Sequence, residues 1–403
     1  MARLKFGRLS FPSRGERMIR FRPFLTSLAA TVTLFGAAVD ARAEVFTVAV
    51  VSDTQHYSNI QAAQPRGEDT FVQQMTYLAD TRHEKNLAFV TFVGDIVQHG
   101  DGQFRTRTDA QDGVYQTFDT RAEWDIANRA IQRLAETGVP FGMVPGNHDY
   151  DSAYWWSENG GRGEPRPLRG GRVWGLYFGP ESRFFADRPW YGGASPNGLN
   201  SYQTFKLGDH AILHLSLEMD PPPATLDWAQ GVLDAHPGMP VMMTTHEWLR
   251  PDAAERSNGL ADNFPGAPNL SPDQVWDRFI RRNPRIFMVL CGHNYTRPID
   301  GVSNGENLRI DANDAGDPVY QLIQDYQGNT RGPDGAAGSA NGGAGWLRFM
   351  AFDTEAKTIH FYTYSTLLDR YAGRNGEATF GVEPQRSDFT LPFPPQLLKA
   401  LSD

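Results

Sequence analysis

The stretch FTVAVVSDTQHYS, residues 46–58, decides how this chain folds. Its first half is a nearly continuous apolar run, which is the composition of a buried parallel strand rather than of a strand with one solvated face. An acid, an amide and an imidazole follow directly, at Asp53, Gln55 and His56. These side chains indicate either a capped loop or a metal site at the end of the strand.

The same arrangement recurs four more times along the chain. Each time an apolar run ends in side chains that can bind a metal: LAFVTFV before Gly94-Asp95, PFGMVP before GNHD at 146–149, VMMTT before His246-Glu247, and RIFMVL before CGHNY at 291–295. In an α/β sheet the ligand site lies beyond the carboxyl ends of the strands. Five unrelated loops would seldom collect such residues there, so the pattern favours one shared site.

Helical stretches separate the apolar runs. EWDIANRAIQRLAETG, residues 123–138, spaces its apolar residues along one face of a helix and stops at a glycine. SPDQVWDRFIRRNP opens with Ser271, Pro272 and Gln274, which predict an N-cap, a first-turn proline and a capping box. Alternating strands and helices are typical of an α/β sheet.

The first 43 residues differ from the rest of the chain. A basic segment is followed by PFLTSLAATVTLFGAAV, an apolar stretch of the length of a signal-peptide core, and Ala41-Arg42-Ala43 fits a cleavage site. The apolar stretch is short for a membrane span, which needs about 20 apolar residues. We therefore expect a signal peptide over 1–43, a secreted or periplasmic protein, and no stable membrane span after cleavage; an uncleaved anchor is the alternative.

Charge and cysteine content narrow the class of protein. The 403 residues include 38 basic and 47 acidic side chains, a net charge of −9. The first 43 residues hold eight of the basic and two of the acidic ones, so the remainder has a net charge of −15. Such acidity argues against non-specific nucleic-acid binding. Cys291 is the only cysteine, and its place at a strand end predicts a small buried apolar side chain.

Two segments stand apart within the expected domain, residues 44–403. An insertion at about 150–200 is dense in aromatic residues, glycine and arginine, and predicts either a lid over the site or a packed surface excursion. The segment 328–345, GNTRGPDGAAGSANGGAG, predicts a flexible linker more readily than a functional flap. WLRFMAFDTEAKTIHFYTY, residues 346–364, then predicts two antiparallel strands with their turn at 354–357.

The ordered set Asp53, Gly94-Asp95, GNHD, His246 and Gly292-His293 resembles the calcineurin-like metallophosphoesterase superfamily. The resemblance covers most of the expected domain, and GNHD is its most specific part. It implies an α/β fold, a four-layer α/β/β/α sandwich of two mixed sheets flanked by helices. It also implies hydrolysis of a phosphate mono- or diester, on a small molecule or a lipid, by hydroxide activated at a dinuclear centre of Fe, Mn or Zn.

The same resemblance assigns a role to each position. It implies six metal ligands: Asp53 and Gln55 at the first ion, Asp95 between the two ions, and Asn147, His246 and His293 at the second ion. His148 would stabilise the transition state or protonate the leaving oxygen, held by Asp149. That pairing is also reasonable chemically, because a carboxylate fixes the tautomer of an imidazole and raises its pKa.

The sequence departs from the family pattern at the first ion. The family opens with Asp-x-His and closes with Gly-His-x-His, whereas Gln55 and Tyr295 occupy the two outer histidine positions here. Gln55 can offer a carbonyl oxygen, as in a branch with an SDTQ opening, or only donate a hydrogen bond. Tyr295 can offer a phenolate, pack, or contact substrate, and His56 is expected to point elsewhere.

An oxygen-rich first position favours a hard ion such as Fe(III) or Mn(II) over Zn(II). The same departure leaves a second function open. In that alternative the chain is a metal- and ligand-binding protein with a weakened first site and little turnover.

Overall fold

The computed structural model describes residues 44–59, 67–102, 104–108, 115–151, 170–253, 255–259 and 269–401. The signal peptide expected at 1–43 lies outside the described residues, as does the 152–169 part of the aromatic insertion. Within the described part of the chain, no helix combines the length and the apolar character needed to cross a membrane.

Strands and helices alternate, as the sequence predicts, over much of the part of the chain that carries the five apolar runs, and the later part is mostly strands. In chain order they are β1 (Val45–Val51), α1 (Gln55–Ser58), α2 (Gly67–Thr81), β2 (Leu87–Phe92), β3 (Phe104–Thr108), β4 (Tyr115–Asp119), α3 (Arg121–Ala135), β5 (Phe141–Met143), α4 (Arg172–Phe178), β6 (Tyr191–Ala194), β7 (Ser201–Leu207), β8 (His210–Ser216), α5 (Pro223–Ala235), β9 (Val241–Thr244), α6 (Pro272–Val275), β10 (Ile286–Cys291), β11 (Glu306–Ala312), β12 (Pro318–Gln324), β13 (Trp346–Asp353), β14 (Thr358–Ser365), β15 (Arg370–Tyr371), β16 (Asp388–Pro392) and α7 (Pro395–Ala400). All five apolar runs form strands, namely β1, β2, β5, β9 and β10.

The predicted helix starts have a physical basis in the structure. Ser271 and Gln274 form the expected capping box, because the Gln274 backbone N–H donates to Ser271 Oγ at 3.4 Å and the Ser271 N–H donates to Gln274 Oε1 at 3.0 Å. A π-helical segment, Trp276–Ile280, extends α6. Helix α3 begins two residues earlier than predicted and buries the predicted apolar face, including Ile131 and Leu134.

The strands form two mixed sheets. The first has the order β15-β14-β13-β1-β2-β5, with β16 beside β14, and the second has the order β11-β12-β10-β9-β8-β7-β6. Strands β1, β2 and β5 are parallel, and so are β8, β9, β10 and β12. Strands β3 and β4 make a separate antiparallel pair. The antiparallel pair predicted over 346–364 is confirmed as β13 and β14, with Asp353 opposite Thr358.

The sheets pack face to face between helices. Phe46, Val48 and Val50 of β1 point to the second sheet and share a core with side chains of β7, β9 and β10. Ala49 and Val51 point the other way, into a core with α2 and α3. The outer face of the second sheet packs against α5 and α6. The predicted α/β/β/α sandwich of two mixed sheets is therefore confirmed.

The described part of the aromatic insertion buries its own rings. Phe178 lies 5.9 Å from the ring of Trp124 in α3, and Phe185 lies 5.2 Å from the ring of Phe141 in β5. Trp174, Phe178 and Phe185 are all buried. Residues 173–190 are thus a packed excursion over the first sheet, as one of the two sequence interpretations has it, and residues 191–194 form β6 at the edge of the second sheet.

The glycine-rich segment 328–345 is packed rather than detached over its second half. Asn341 and Ala344 are buried, and the N–H of Gly345 donates to the Tyr57 hydroxyl at 3.0 Å. A Cβ on Gly342 would lie 2.5 Å from the His56 ring, and one on Gly343 would lie 2.4 Å from the Tyr57 hydroxyl. The linker prediction is wrong for this half, because the missing side chains here permit close backbone packing.

A chain of buried polar groups crosses the core between the sheets. Thr91 Oγ1 of β2 lies 2.9 Å from Thr244 Oγ1 of β9, and Thr244 Oγ1 lies 2.8 Å from His214 Nε2. The other ring nitrogen, His214 Nδ1, lies 2.8 Å from Gln203 Oε1, an acceptor, so Nδ1 carries the proton. Burial lowers the pKa of His214 to about 3, so the ring is neutral in the folded chain.

We predict that His214 makes folding sensitive to mild acid. Its pKa is about 3 when folded and near 6.5 when unfolded, so its stabilisation is present above pH 6.5 and is lost as the pH falls toward 3. Between pH 7 and pH 5 the loss from this residue is about 2 kcal/mol. Urea unfolding at the two pH values should show a smaller pH effect for His214→Gln than for the wild type. His210→Gln, on the same strand, is the control and should keep the wild-type pH effect; a His214→Gln variant with that full effect would contradict the prediction.

Candidate metal centre

The five polar strand ends lie together at one edge of the sandwich. Strands β1, β2 and β5 are neighbours in the first sheet, and β9 and β10 are neighbours in the second. Parallel neighbours end at the same edge, so the loops that follow them meet. Asp53, Asp95 and the turn Asn147–Asp149 therefore face His246 and His293 across the gap between the sheets.

One group of donor atoms matches the second ion position of the sequence analysis. His246 Nε2 lies 3.1 Å from Asn147 Oδ1, 3.1 Å from His293 Nδ1 and 3.3 Å from Asp95 Oδ1. Donor atoms of Asp95, His246 and His293 lie within 4.8 Å of one another. His246 and Asp95 are buried, whereas Asn147 and His293 are half-buried, so the cluster opens to solvent on their side.

The protonation of His246 shows that this cluster suits a cation. The Val93 carbonyl, 2.8 Å from Nδ1, can only accept a hydrogen bond, so Nδ1 carries a proton. When the ring is neutral, Nε2 therefore carries a lone pair. That lone pair faces Asn147 Oδ1 and Asp95 Oδ1, which are also electron-rich. Burial alone would lower the pKa of His246, but the carboxylates of Asp95 and Asp53 outweigh burial and raise it to about 10. A positive charge is therefore favoured between these atoms.

A second group of oxygen donors lies around Asp53 and Gln55. Asp53 is buried; its Oδ1 accepts from the backbone N–H of His293 at 3.0 Å and its Oδ2 from Ser52 Oγ at 3.2 Å. Gln55 Nε2 donates to Asp95 Oδ2 at 3.1 Å. Gln55 is only 1% exposed, and its Oε1 has no hydrogen-bond partner among the described residues. A buried carbonyl oxygen without a donor fits a metal ligand.

The buried carboxylates repel each other across this second group. Burial, together with the charges of Asp325 and Asp95, raises the pKa of Asp53 well above its usual value, against the lowering effects of His246 and the His293 N–H. Burial would likewise raise the pKa of Asp95, but the imidazoles of His246 and His148 hold it well below its usual value. The two carboxylates therefore compete for the same positive charge.

Two motif glycines are required by close approach. A Cβ on Gly146 would lie 2.1 Å from Asp95 Oδ1, and a Cβ on Gly292 would lie 2.2 Å from Asp53 Oδ2. Real Cβ contacts are never so short. Each glycine lets the backbone of one strand end pass directly beside a carboxylate from a neighbouring strand end, which explains why the motifs read Gly-Asn and Gly-His.

Asp149 does not hold His148, so the sequence prediction of that pair is wrong. Its carboxylate accepts backbone N–H groups from Ile96 at 2.9 Å, Val97 at 3.0 Å and Gly146 at 2.9 Å. A carboxylate buried within a tight turn is best satisfied by such N–H groups. Asp149 thereby ties the loop of Asp95 to the loop of Asn147 and fixes the distance between two candidate ligands.

His148 is oriented by the backbone instead. Its Nδ1 lies 3.0 Å from the carbonyl oxygen of Gln98, so Nδ1 donates and Nε2 carries the lone pair of the neutral ring. Nε2 lies 3.9 Å from Asp95 Oδ2, and the side chain is 18% exposed. Burial lowers the pKa of His148 to about 4, despite the raising effects of Asp95 and the Gln98 carbonyl. The ring is therefore a neutral, partly accessible group beside the metal candidates.

Tyr295, His56 and Glu247 lie around the centre. Tyr295 is 38% exposed, its ring rests over Gly328, and burial with the charges of Asp325, Asp53 and Asp95 raises its pKa to about 12. His56 is half-buried beside Gly342, and burial lowers its pKa although Asp95 opposes this. His56 thus lies nearer the centre than the sequence analysis predicts, where it points elsewhere. Glu247 is buried.

Sequence reasoning missed Asp325 and Gln327. Both are buried and follow β12, the parallel neighbour of β10, so they reach the same edge as the other strand ends. The sequence signal was present, because the polar residues Asp325 and Gln327 follow the run PVYQLIQ. Two glutamines within that run obscure its apolar character, so it did not resemble the other five. Cys291 is buried at the end of β10, as predicted.

Comparisons with known proteins give a family, a relative and a solved structure. The sequence profile described as calcineurin-like phosphoesterase matches residues 46–297, which exclude Asp325 and Gln327. The chain is 25% identical over 332 residues to the uncharacterized protein YvnB of Bacillus subtilis (strain 168), which covers 80% of this chain. The chain spans only 20% of the length of that relative. A solved structure of GAP50, the anchor in the inner membrane complex of Plasmodium, is 12% identical and aligns 89% of this chain with 95% of its own at a TM-score of 0.40.

Asp149→Asn separates the two roles considered for Asp149. The amide group presents an N–H₂ to backbone N–H groups, so we expect the loops of Asp95 and Asn147 to move apart and the affinity for Mn²⁺ to fall about tenfold or more. Isothermal titration of the variant with Mn²⁺ measures this. Asp151→Asn is the control, since Asp151 accepts backbone N–H groups of Arg172 and Val173 outside the centre. Unchanged Mn²⁺ affinity in Asp149→Asn would contradict the backbone role.

Proposed function

Because the chain belongs to the calcineurin-like phosphoesterase family, we propose that it is an exported hydrolase of phosphate mono- or diesters that works with two metal ions. Family membership makes it a metal-dependent phosphoesterase in general terms. The convergence of Asp95, Asn147, His246 and His293 on one small volume carries the proposal. The two-ion centre, the export and the substrate, a small-molecule or lipid phosphoester, are the parts that we propose.

Six residues would hold the two ions. The first would lie on Asp53 and Gln55, the second on Asn147, His246 and His293, with Asp95 shared between them. When bound, such cations neutralise charge on phosphoryl oxygens and lower the pKa of water at the site. Mixed carboxylate, amide and imidazole donors suit Fe, Mn or Zn, and the first position, with oxygen donors alone, favours the harder ions.

The carboxylate of Asp95 would serve both positions, and its contacts support this role. Its Oδ1 faces His246 Nε2 at 3.3 Å and accepts the backbone N–H of His148 at 2.9 Å. Its Oδ2 accepts from Gln55 at 3.1 Å on the other side. One oxygen is thus directed toward each donor group, which is what a bridging carboxylate requires.

His148 would handle charge or a proton on the substrate. Its Nδ1–H is committed to the Gln98 carbonyl, so Nε2 is the atom that can face a phosphoryl or leaving oxygen. The ring is neutral near pH 7, and an anionic phosphate beside it would favour its protonated form. Protonated Nε2 could then donate a hydrogen bond to the transition state or a proton to the leaving oxygen.

The alternative of a binding protein with little turnover receives less support. It requires a first position too weak to hold an ion. Asp53 and the Gln55 carbonyl oxygen, which has no partner among the residues that the structure describes, are both buried there and can serve as ligands. Two donor groups joined by Asp95 favour two ions and hydrolysis.

The test is hydrolysis by the protein loaded with Mn²⁺ or iron. We expect turnover of an aryl phosphate or a bis-aryl phosphate, a loss of about 10³-fold or more in Asp95→Ala, and a loss of about 10²–10⁴-fold in His148→Ala. Asp314→Ala is the matched control, because this exposed carboxylate pairs with Arg281 and should leave the rate unchanged. Absence of hydrolysis in every metal form, or full activity in Asp95→Ala, would overturn the proposal.

Export has its own test. The basic and apolar segments that end at Ala41-Arg42-Ala43 support cleavage after Ala43. We expect intact-mass measurement of protein recovered from the periplasm or medium to give a chain that begins at Glu44. Protein that retains residues 1–43 in the cytoplasmic fraction would contradict export.

A further inference from the structure

The side chains of Asp325 and Gln327 form a relay that ends on Gln55. Asp325 accepts twice from Gln327, at Oδ1 from its backbone N–H and at Oδ2 from its side-chain Nε2, both at 2.9 Å. The other end of the Gln327 amide, Oε1, accepts from Gln55 Nε2. Gln55 Nε2 also donates to Asp95 Oδ2 at 3.1 Å. A continuous chain of hydrogen bonds therefore joins Asp325 to Asp95.

The hydrogen bonds of this relay give each amide one orientation. An ionised carboxylate can only accept, so Gln327 presents its N–H₂ to Asp325 and its carbonyl oxygen to Gln55. Gln55 must then present its own N–H₂ to Gln327 and Asp95, which uses both of its hydrogens. The Gln55 carbonyl oxygen is left over, buried and without a partner among the described residues. Without Asp325, the two amides could each turn over.

The loop that carries the relay is held firmly in place. Between the two relay residues, the backbone N–H of Tyr326 donates to Ser52 Oγ at 3.1 Å, and Ser52 Oγ donates to Asp53 Oδ2 at 3.2 Å. The Tyr326 hydroxyl donates to Glu306 Oε1 at 2.7 Å. Glu306 is itself paired with the buried Arg348 at 2.9 Å. The loop is thus tied both to the first candidate ligand and to the buried core.

We propose that Asp325 and Gln327 are positioning residues that orient the Gln55 amide so that its carbonyl oxygen, rather than its N–H₂, is presented to the first metal ion. The relay compensates for the imidazole that the family pattern places at residue 55. An imidazole offers a lone pair from a fixed ring, whereas an amide presents an oxygen or an N–H₂ according to how it is turned. This inference rests on the proposed two-metal function, and it specifies how one of the two positions is made competent.

Metal stoichiometry tests the relay without relying on turnover. Wild-type protein should bind two equivalents of Mn²⁺, measured by titration calorimetry and by elemental analysis after gel filtration. Gln327→Met and Asp325→Leu should each weaken one equivalent about 10–100-fold and leave the other unchanged, because partners of metal ligands typically contribute that much to affinity. Asp325→Asn keeps one acceptor oxygen and should weaken the same equivalent less.

A matched control and a rescue complete the design. Gln321→Met makes the same substitution at another buried residue of β12, whose side chain contacts Trp248 and Arg256 away from the centre, and it should keep both equivalents. Adding Gln55→His to Gln327→Met replaces the amide by a ring that needs no relay. The double variant should again bind two equivalents of Mn²⁺. Thermal unfolding of the metal-free proteins checks that Gln327→Met and Gln321→Met are both folded, which a cooperative transition in each shows.

Each outcome decides the inference. Two equivalents of wild-type affinity in both Gln327→Met and Asp325→Leu would overturn the relay, and so would equal metal loss in Gln321→Met or a failure of rescue by Gln55→His. If the wild-type protein still hydrolyses aryl phosphates in those cases, the proposed function stands without the relay. A wild-type protein that binds a single Mn²⁺ would overturn the relay and the two-ion centre together.

Discussion

The position of His246 between the two sheets is the constraint on which the centre depends. Its Nδ1 is held by the Val93 carbonyl of the first sheet, while its own backbone follows β9 of the second. Fixing one nitrogen of a planar ring fixes the direction of the other, so Nε2 is aimed at Asp95 and Asn147. The sandwich and the donor cluster are therefore not separable: a shift between the sheets would move Nε2 off its target.

The centre also concentrates negative charge that the protein alone does not balance. Asp53, Asp95 and Asp325 are each at most 1% exposed, and the positive groups described beside them are imidazoles. Elsewhere in the core a buried carboxylate has a charged partner. Glu306 lies 2.9 Å from the buried guanidinium of Arg348 and accepts further hydrogen bonds from Tyr326 and Thr363. Burying several carboxylates together is costly, as the raised pKa of Asp53 indicates, and bound cations would offset that cost. Metal binding and stability are consequently linked in this fold.

The two ion positions that we propose differ in how the chain builds them. The second uses an amide and two imidazoles in the family order, fixed by β5, β9 and β10. The first has lost both outer imidazoles of that order and gathers oxygen donors, with Gln55 turned by a loop that lies beyond the matched family region. A glutamine at this position can therefore act as a ligand only when its amide is turned so that the carbonyl oxygen faces the ion. The buried carboxylate of Asp325, 270 residues later in the chain, completes the arrangement that we propose.

The sequence by itself determined the five apolar strands that end at the centre, the capping box at Ser271, the β13–β14 pair and the identity of most of the clustered strand ends, because apolar periodicity, caps and turn residues are local properties. Only the tertiary structure decided which donors touch: it gave Asp149 to backbone N–H groups rather than to His148, packed the glycine-rich segment against Tyr57, and brought Asp325 and Gln327 to Gln55. Adjacency in sequence says little about contact in space, since the partner of a buried polar group is set by which loops the sheet order brings together. That order is a property of the whole chain, and no single stretch of it carries the information.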